Sequence, residues 1–304
     1  MNGVLIAIPT FRRPHLLGAL LDGLAKQSLP DGLALSALVL DNDAAGSARN
    51  VVRDRACAFP FPLSYRCVKV PGLSAVRNAA LEAASGSEFL AMIDDDEVPE
   101  PRWLAELVRV QRATGADAVV GPVPPRLSLG MPRWLHGLGG AHFERARDGQ
   151  RISEGWSGNC LVRMQTLKRL ALRFDPALNF SGGEDQMFFR SLSSCGGVIV
   201  YARDAIAWED VPPERRSLQF VLSRSFRRGT TLSICDRRLK GTAGALVLRA
   251  AKGAAHLVIG VAKAVTLGML QGPDGIVGGS LQAVRGAGML AGLAGAHPQA
   301  YRRE

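Results

Sequence analysis

Residues 89–97 read Phe-Leu-Ala-Met-Ile-Asp-Asp-Asp-Glu, so that five apolar residues lead directly into four acidic ones. An unbroken apolar run of this length is typical of a strand that is buried on both faces of a sheet. Carboxylates at positions i and i+2 point the same way and can share one divalent cation. The stretch predicts a buried strand ending at a Mg²⁺ or Mn²⁺ site that also suits a diphosphate. A solvated acidic loop is the alternative.

The first 120 residues alternate short apolar runs with helical patterns. Strands are predicted at residues 4–8, 37–40, 63–70, 89–93 and 118–120, and helices at 14–27, 47–58, 73–84 and 101–114. This alternation implies a parallel sheet with helices on both faces. Ligands of such sheets bind beyond the carboxyl ends of the strands. The polar residues that follow successive strands, Thr10, Asp41, Asp43 and the triplet Asp94–Asp96, are therefore expected to converge on one rim.

Two glycine-containing segments precede predicted helices. In residues 72–78, Gly72 comes before a helix whose early turns carry Arg77 and Asn78, which could reach a nucleotide base or a phosphate. A solvated helix face explains the same pattern. In residues 182–185, the sequence Gly-Gly-Glu-Asp opens a helix that continues into apolar residues. A carboxylate fixed there could act as a general base, and an ordinary helix cap with acidic residues in its first turn is the alternative.

The order of these motifs along the chain resembles that of a known family. The motifs are Pro9-Thr10-Phe11-Arg12-Arg13, Leu40-Asp41-Asn42-Asp43, Gly72 to Asn78, Asp94-Asp95-Asp96, Gly158-Asn159 and Glu184-Asp185. Together they resemble the family 2 glycosyltransferases of the GT-A fold, and most closely the bacterial exopolysaccharide and succinoglycan type, over residues 1–230. The resemblance implies an α/β fold with a mostly parallel twisted central sheet flanked by helices. It also implies sugar transfer from a nucleotide sugar, usually a UDP-sugar, with inversion by a single displacement.

The resemblance further implies roles for particular residues. Donor-binding roles fall on Pro9, Thr10, Arg12, Asp41, Asp43, Arg77, Asn78, Asp94 and Asp95. Acceptor-binding roles fall on Trp156, Gly158, Asn159 and Glu184, and Asp185 is implied as the general base. The metal, Mn²⁺ or Mg²⁺, would be held by Asp96, Asp94 and Glu209. Many relatives carry a histidine where this chain reads Ala207-Trp208-Glu209-Asp210, so Glu209 is expected to replace it, with Asp210 as the runner-up.

Cysteine usage and the N-terminus bear on the compartment. The five cysteines are scattered and form no C-x-x-C pair, which argues against a disulfide framework and a zinc site and favours a reducing cytosol. The N-terminus lacks the basic head of a signal peptide. Since no run of about 20 uncharged apolar residues occurs, we also expect no transmembrane helix.

The positive charge is concentrated towards the C-terminus. Residues 215–304 hold 14 Lys/Arg and 3 Asp/Glu, whereas residues 1–214 hold 23 and 24. We therefore predict a GT-A glycosyltransferase domain at residues 1–235 and a basic amphipathic helical tail at residues 236–304.

One stretch of this tail has two distinct helical faces. One face carries Arg249, Lys252, His256 and Lys263, and another carries Leu246, Val247, Leu257, Val258, Val261 and Val265. An apolar face with a cationic flank is typical of a helix that lies in a membrane interface. We expect a peripheral protein on the inner face of the plasma membrane that acts on a glycan or lipid-linked glycan acceptor. A helix docked on the body of the protein is the alternative.

Two other functions fit parts of the pattern. A sugar-phosphate nucleotidylyltransferase would need a glycine-rich loop with a lysine after the first strand, where this chain has Pro-Thr-Phe-Arg-Arg. A nucleic-acid-binding protein would explain the pI of about 9.9, but aromatic residues make up only 6% of the chain. We therefore predict that the protein does not bind nucleic acid.

Overall fold

The computed structural model describes residues 3–28, 32–126, 131–132, 134–135, 146–296 and 298. The described residues form two compact units. The first comprises those of 3–126, 146–179 and 188–210, and the second those of 131–135, 180–187 and 211–298. Half of the segment at residues 122–151, for which the sequence predicts no regular structure, lies outside the described residues.

A mixed sheet forms the centre of the first unit. Its strands are β1 (Gly3–Thr10), β2 (Ala34–Asp41), β3 (Leu63–Cys67), β4 (Phe89–Ile93), β6 (Ala118–Val120), β7 (Arg151–Ile152), β8 (Asn159–Arg163) and β9 (Ile199–Tyr201), and a separate antiparallel pair is formed by β5 (Glu97–Pro99) and β10 (Ala207–Glu209). The order in the sheet is β3-β2-β1-β4-β8-β6-β9-β7. The pairs among β1 to β4 and the pair β6–β9 are parallel, whereas β8 runs antiparallel to both of its neighbours. The predicted α/β architecture with a mostly parallel sheet is confirmed.

Helices cover both faces of this sheet. They are α1 (Pro14–Leu24), α2 (Arg49–Ala56), α3 (Leu73–Ala83), α4 (Trp103–Thr114), α5 (Met164–Arg169) and α6 (Glu184–Ser194), the last of which begins in the residues of the second unit. The side chains of β1 alternate between the two layers: Ile6 and Ile8 pack with α1, α2 and α4, and Leu5 and Ala7 pack with α3, α5 and α6. Burial on both faces explains why the strand sequences read as unbroken apolar runs.

The second unit contains three long helices, α7 (Leu218–Leu239), α8 (Ala243–Gln271) and α9 (Pro273–Leu293). Small residues let α8 and α9 approach closely, because a Cβ added at Gly260 would lie 2.2 Å from the Ala283 nitrogen and one at Gly279 would lie 2.2 Å from the Ala264 nitrogen. Gly229 of α7 approaches the backbone of α9 equally closely. The predicted helical C-terminal extension is therefore present. The predicted boundary between residues 235 and 236 falls inside α7, because this helix continues to Leu239.

The structure corrects two predictions for the tail. Arg249 does not lie on an open cationic face, because it is buried and its guanidinium bonds to Asp236 Oδ2 at 2.6 Å. The expectation that no helix could span a membrane is also wrong, because α8 is long and apolar enough to do so by its length and composition alone. Helix α8 has 29 residues and a mean hydropathy of 1.6 in its most apolar window, of which 11% is buried. Arg249 and Lys263 lie within α8, and charged side chains are costly at the centre of a bilayer.

Candidate active site

The acidic triplet lies beyond the carboxyl end of β4, next to the end of β1, as the sequence predicts. Thr10 Oγ1 donates a hydrogen bond to Asp95 Oδ2 at 2.8 Å. One nitrogen of Arg13 lies 3.2 Å from Asp95 Oδ1 and 3.0 Å from Asp96 Oδ2. Asp95 and Asp96 are both buried, so this guanidinium balances two neighbouring carboxylates in a water-poor setting. A network of Thr10, Arg13, Asp95 and Asp96 therefore forms one part of the rim.

Asp94 is the most accessible carboxylate of the triplet, with 33% of its side chain exposed. Its Oδ1 accepts a hydrogen bond from the buried Arg77 at 3.2 Å. Gly158 lies directly beside it, since an added Cβ would come within 3.2 Å of Asp94 Oδ2 and 2.3 Å of Glu97 Oε1. A side chain at position 158 would displace the carboxylate of the buried Glu97, so glycine leaves the space that this carboxylate occupies at the rim.

Burial changes the acidity of two carboxyl groups at this rim. Burial and then the charge of Asp96 raise the pKa of Asp95 to about 6, although Arg13 and Thr10 favour its ionised form. Burial, followed by the charges of Asp94, Asp96 and Glu209, raises the pKa of Glu97 well above its usual range. Carboxyl groups in such surroundings take up a proton at a higher pH than exposed ones do.

Glu209, the predicted third metal ligand, is buried opposite Glu97 in the β5–β10 pair. The Asp210 backbone nitrogen donates to the Asp96 carbonyl at 2.8 Å, which ties the end of β10 to the triplet. The Asp210 carboxylate instead pairs with Arg126 at 3.4 Å. Within the part of the chain that the structure describes, no three His, Cys, Asp or Glu side chains are arranged to hold a metal. The set Asp96, Asp94 and Glu209 is therefore not preassembled and stays a prediction.

The residues after β2 divide into structural and accessible ones. Asp41 is fully buried and accepts from the Asp43 nitrogen at 2.9 Å, the Ala48 nitrogen at 2.9 Å and the Tyr65 hydroxyl at 3.1 Å. These bonds engage both carboxylate oxygens and hold the loop that carries Asp43, and the donor-binding role of Asp41 stays a prediction.

Arg12 and Asp43 together form the accessible part of this region. Arg12 Nε lies 3.4 Å from Asp43 Oδ1, and 67% of the Arg12 side chain is exposed. The backbone of Arg12 adopts a left-handed conformation with φ of 55°, which is uncommon for a residue other than glycine and is found at functional sites. This turn lets Arg12 project outward while Arg13 contacts the acidic triplet. Pro9, one residue before the rim, is half-buried in β1.

Two predicted ligand-binding asparagines form hydrogen bonds that support the fold. Asn78 exchanges two hydrogen bonds of 2.9 Å with the backbone of Phe174. Asn159 is fully buried, accepts from Trp103 Nε1 at 2.7 Å and donates to the carbonyls of Pro122 at 2.8 Å and Ala205 at 2.7 Å. Both asparagine amides therefore hold backbone segments in place, while donor binding by Asn78 and acceptor binding by Asn159 stay predictions.

Asn159→Ala is expected to lower the free energy of unfolding by about 2–4 kcal/mol, because three buried groups would lose their partner. Urea denaturation measures this loss, and Asn50→Ala at an exposed position of α2 serves as the control. A variant that is as stable as the wild type but has a raised KM for the acceptor would instead support the predicted acceptor-binding role of Asn159.

The remaining predicted residues lie at two places. Trp156 is half-buried in the first unit, and its Nε1 donates to the Gly121 carbonyl at 3.0 Å. Glu184 and Asp185 belong to the second unit and open α6. Gly182 and Gly183 before them have φ values of 75° and 85°, and a Cβ on Gly183 would lie 2.4 Å from Thr231 Cγ2. Asp185 is half-buried, and its Oδ1 accepts from the Gln186 nitrogen at 2.7 Å.

Sequence reasoning missed two residues of this rim, Arg13 and Glu97. Arg13 is separated from its partners by more than 80 residues, so only the adjacency of β1 and β4 in the sheet brings them together. Glu97 belongs to the acidic run, but its burial depends on β10, which pairs with β5. The strand-end position of Arg13, directly before Pro14 of α1, is the one sequence signal that pointed to the rim.

Comparisons with known proteins agree with this architecture. The profile of the family described as glycosyl transferase family 2 matches residues 5–171. The succinoglycan biosynthesis protein ExoM of Rhizobium meliloti (strain 1021) is 37% identical over 227 residues, which cover 74% of this chain and 72% of ExoM.

Solved structures share the fold at low sequence identity. The mannosyltransferase PcManGT from Pyrobaculum calidifontis, in complex with GDP-Man and Mn²⁺, has a TM-score of 0.65 at 19% identity and covers 95% of this chain and 86% of its own. Residues 1–349 of S. aureus TarS in complex with UDP match with a TM-score of 0.52 at 15% identity, covering 97% of this chain and 92% of that one. The chain spans 43% of a longer TarS structure.

Proposed function

This chain belongs to glycosyl transferase family 2, and from that premise we propose that it transfers a sugar, with inversion, from a nucleotide-diphosphate sugar to a lipid-linked glycan. It is a glycosyltransferase of exopolysaccharide synthesis. The donor we propose is a UDP-sugar. The observation that carries the proposal is the rim at which Thr10, Arg13 and Arg77 surround the Asp94–Asp96 triplet. Calorimetric titration with UDP, with and without Mn²⁺, tests it.

The donor half of the proposal rests on charge and access. Arg12, which is exposed, and Asp43 provide polar groups on one side of the rim, and Asp94 with Arg77 provides them on the other. A guanidinium binds phosphate oxygens well, and carboxylates accept hydrogen bonds from ribose hydroxyls and base N–H groups. We assign Asp94 to the ribose side and Asp96 to the metal.

The side chains at the rim are suited to a divalent cation. Arg13 places a positive charge against Asp95 and Asp96, which supports the binding of a cation at Asp96. Mg²⁺ and Mn²⁺ are bound by a few carboxylates together with substrate phosphates, so a complete protein shell is not needed. Asp96 would hold the ion together with Asp94, two residues before it, and Glu209, which lies opposite Glu97 in the β5–β10 pair. The ion would stabilise the negative charge of the leaving diphosphate.

We propose Asp185 as the general base. Asp185 lies in the first turn of α6, and the packing of Gly183 against Thr231 fixes the turn that carries it. Asp185 takes the proton of the acceptor hydroxyl while the acceptor oxygen forms its bond to the anomeric carbon. The bond from that carbon to the diphosphate oxygen breaks, and its electrons leave with the diphosphate. Glu184 beside it orients the acceptor.

The proposed lipid-linked acceptor is supported by the exposed surface of α8. Its large apolar side chains at positions 247, 258, 261 and 265 are 68%, 67%, 53% and 54% exposed, and Met269 and Leu270 are 83% and 80% exposed. The opposite side of α8 packs on α9 through glycines, a mode common where lipid surrounds helices. We therefore propose that α8 lies in the interface of the cytoplasmic leaflet, with Lys252 and Lys263 near anionic headgroups.

The triple substitution Val258→Gln, Val261→Gln, Val265→Gln is expected to abolish most co-sedimentation with anionic vesicles. These three side chains are at least half exposed, so the substitution removes apolar burial at the headgroup boundary with little effect on folding. Co-sedimentation with vesicles of phosphatidylcholine and phosphatidylglycerol measures the effect, and circular dichroism checks the fold.

Val70→Gln provides a matched control, because Val70 is also an exposed valine, at 62%, but lies outside the tail. It should bind vesicles as the wild type does. Wild-type co-sedimentation by the folded triple variant would mean that the membrane contact lies elsewhere. Salt should release the wild type only in part, since apolar burial is not screened.

A further inference from the structure

Arg13 occupies an unusual position at the acidic rim. One guanidinium nitrogen of Arg13 lies 3.2 Å from Asp95 Oδ1 and 3.0 Å from Asp96 Oδ2. The side chain of Arg12, the preceding residue, pairs with Asp43. The guanidinium of Arg13 thus lies against an oxygen of Asp96, the carboxylate proposed above as the main ligand of the divalent cation. Resting on the function proposed above, we infer that Arg13 is a stand-in for the divalent cation, and that the donor diphosphate draws it away when metal and donor bind.

The balance of charge supports this exchange. At the rim, Arg13 and Arg77 form ion pairs with three carboxylates, Asp94, Asp95 and Asp96. A divalent cation bound to Asp96 while Arg13 stays on Asp96 Oδ2 would lie beside a like charge. A nucleotide diphosphate brings several negative charges, which a guanidinium binds through parallel hydrogen bonds. The diphosphate can therefore pair with Arg13 when the metal binds Asp96.

The surroundings of Arg13 permit the movement. Its side chain is 34% exposed, so the core does not enclose it. Its backbone carbonyl accepts from the Leu17 nitrogen at 3.1 Å at the start of α1, which holds the main chain in place while the side chain rotates. Asp95 keeps its bond to Thr10 when Arg13 leaves, so one of the two carboxylates remains positioned.

The consequence is coupling between metal and donor. While Arg13 competes for Asp96, Mn²⁺ alone binds weakly, and UDP removes the competitor. By linkage, the factor by which UDP tightens Mn²⁺ binding equals the factor by which Mn²⁺ tightens UDP binding. Arg13 is therefore a positioning residue that couples entry of the metal to entry of the donor and keeps the acidic rim neutralised between turnovers.

Titration of the metal-free full-length protein with Mn²⁺, followed by the electron paramagnetic resonance signal of free Mn²⁺, tests this inference without any turnover. Arg13→Gln is expected to bind Mn²⁺ in the absence of nucleotide with a Kd lowered about tenfold or more. The ratio of the Mn²⁺ Kd values without and with saturating UDP should fall by a similar factor. Arg13→Lys should shift in the same direction, because one ammonium cannot match the geometry of a guanidinium.

The matched control is Arg55→Gln. Arg55 is also 34% exposed and pairs with one carboxylate, Asp22, at 3.0 Å, but it lies away from the rim. Its Mn²⁺ affinity should equal that of the wild type. Asp96→Asn, measured in parallel, identifies the site, since it should weaken Mn²⁺ binding in every background.

The outcomes separate the two levels of the proposal. If Mn²⁺ binding depends on Asp96 but neither Arg13→Gln nor Arg13→Lys changes its Kd, the role inferred for Arg13 is wrong and the metal assignment stands. If Asp96→Asn leaves Mn²⁺ binding unchanged in all backgrounds, the metal assignment fails, and the inference for Arg13 fails with it. Should Arg13→Gln not fold, the Arg13→Lys titration decides.

Discussion

Asp96→Asn is expected to reduce sugar transfer by roughly a thousandfold or more, because loss of the metal removes several kcal/mol of stabilisation of the departing diphosphate. Asp96 is buried at the end of the strand-end acidic run, and its carboxylate already holds the positive charge of Arg13. Transfer of radiolabelled sugar to the lipid fraction with Mn²⁺ present measures the loss. The metal-dependent part of UDP affinity should disappear with it.

The fold should survive this substitution, since an asparagine oxygen can still accept from Arg13. Asp54→Asn is a suitable control, because Asp54 is an exposed carboxylate paired with Arg53 on α2. Full turnover by folded Asp96→Asn in the presence of Mn²⁺ would remove Asp96 from the metal site.

Asp185→Asn is expected to lower transfer by about 10²–10⁴-fold while donor affinity stays at the wild-type value, because general-base catalysis contributes about that factor. The amide keeps the shape of the side chain and its bond with the Gln186 nitrogen, but it cannot take the proton of the acceptor hydroxyl. Single-turnover transfer and UDP titration, measured on the same preparation, separate chemistry from binding.

Glu184→Gln is the internal comparison, since Glu184 is the neighbouring carboxylate in the first turn of α6. A smaller loss is expected from it. Equal losses from both variants would leave neither as the base, and loss of UDP affinity in Asp185→Asn would point to a donor-side or structural role.

The sheet and its rim could be predicted because their signals are local. The unbroken apolar runs of β1 and β4 reflect burial on both faces, and the polar residues after them fall at one edge because parallel strands end together. Thr10 and the Asp94–Asp96 triplet were found in this way, and the structure places them in contact through Asp95. The helical tail was likewise visible in its periodicity.

The roles of buried polar residues could not be predicted, because they depend on partners distant in sequence. Asn159 and Asn78 match the expected motifs, yet their side-chain amides form hydrogen bonds with backbone groups of other segments. Arg249 shares a helical face with Lys252 but turns inward because Asp236 of α7 lies opposite it. Periodicity gives the face of a residue on its helix, and only tertiary packing determines whether that face meets solvent or a charge.

The most direct test of the central claim is a thermal shift assay of the full chain against a panel of nucleotide-diphosphate sugars, with Mn²⁺ and with EDTA. A ligand at a hundred times its Kd stabilises the folded state by about 2.7 kcal/mol, which gives a measurable rise in Tm. The account predicts that UDP-sugars raise Tm in the presence of Mn²⁺, that EDTA removes most of the rise, and that Asp96→Asn responds as the wild type does with EDTA. It is contradicted if no nucleotide sugar changes Tm, or if stabilisation requires a nucleoside triphosphate, as a nucleotidylyltransferase would show.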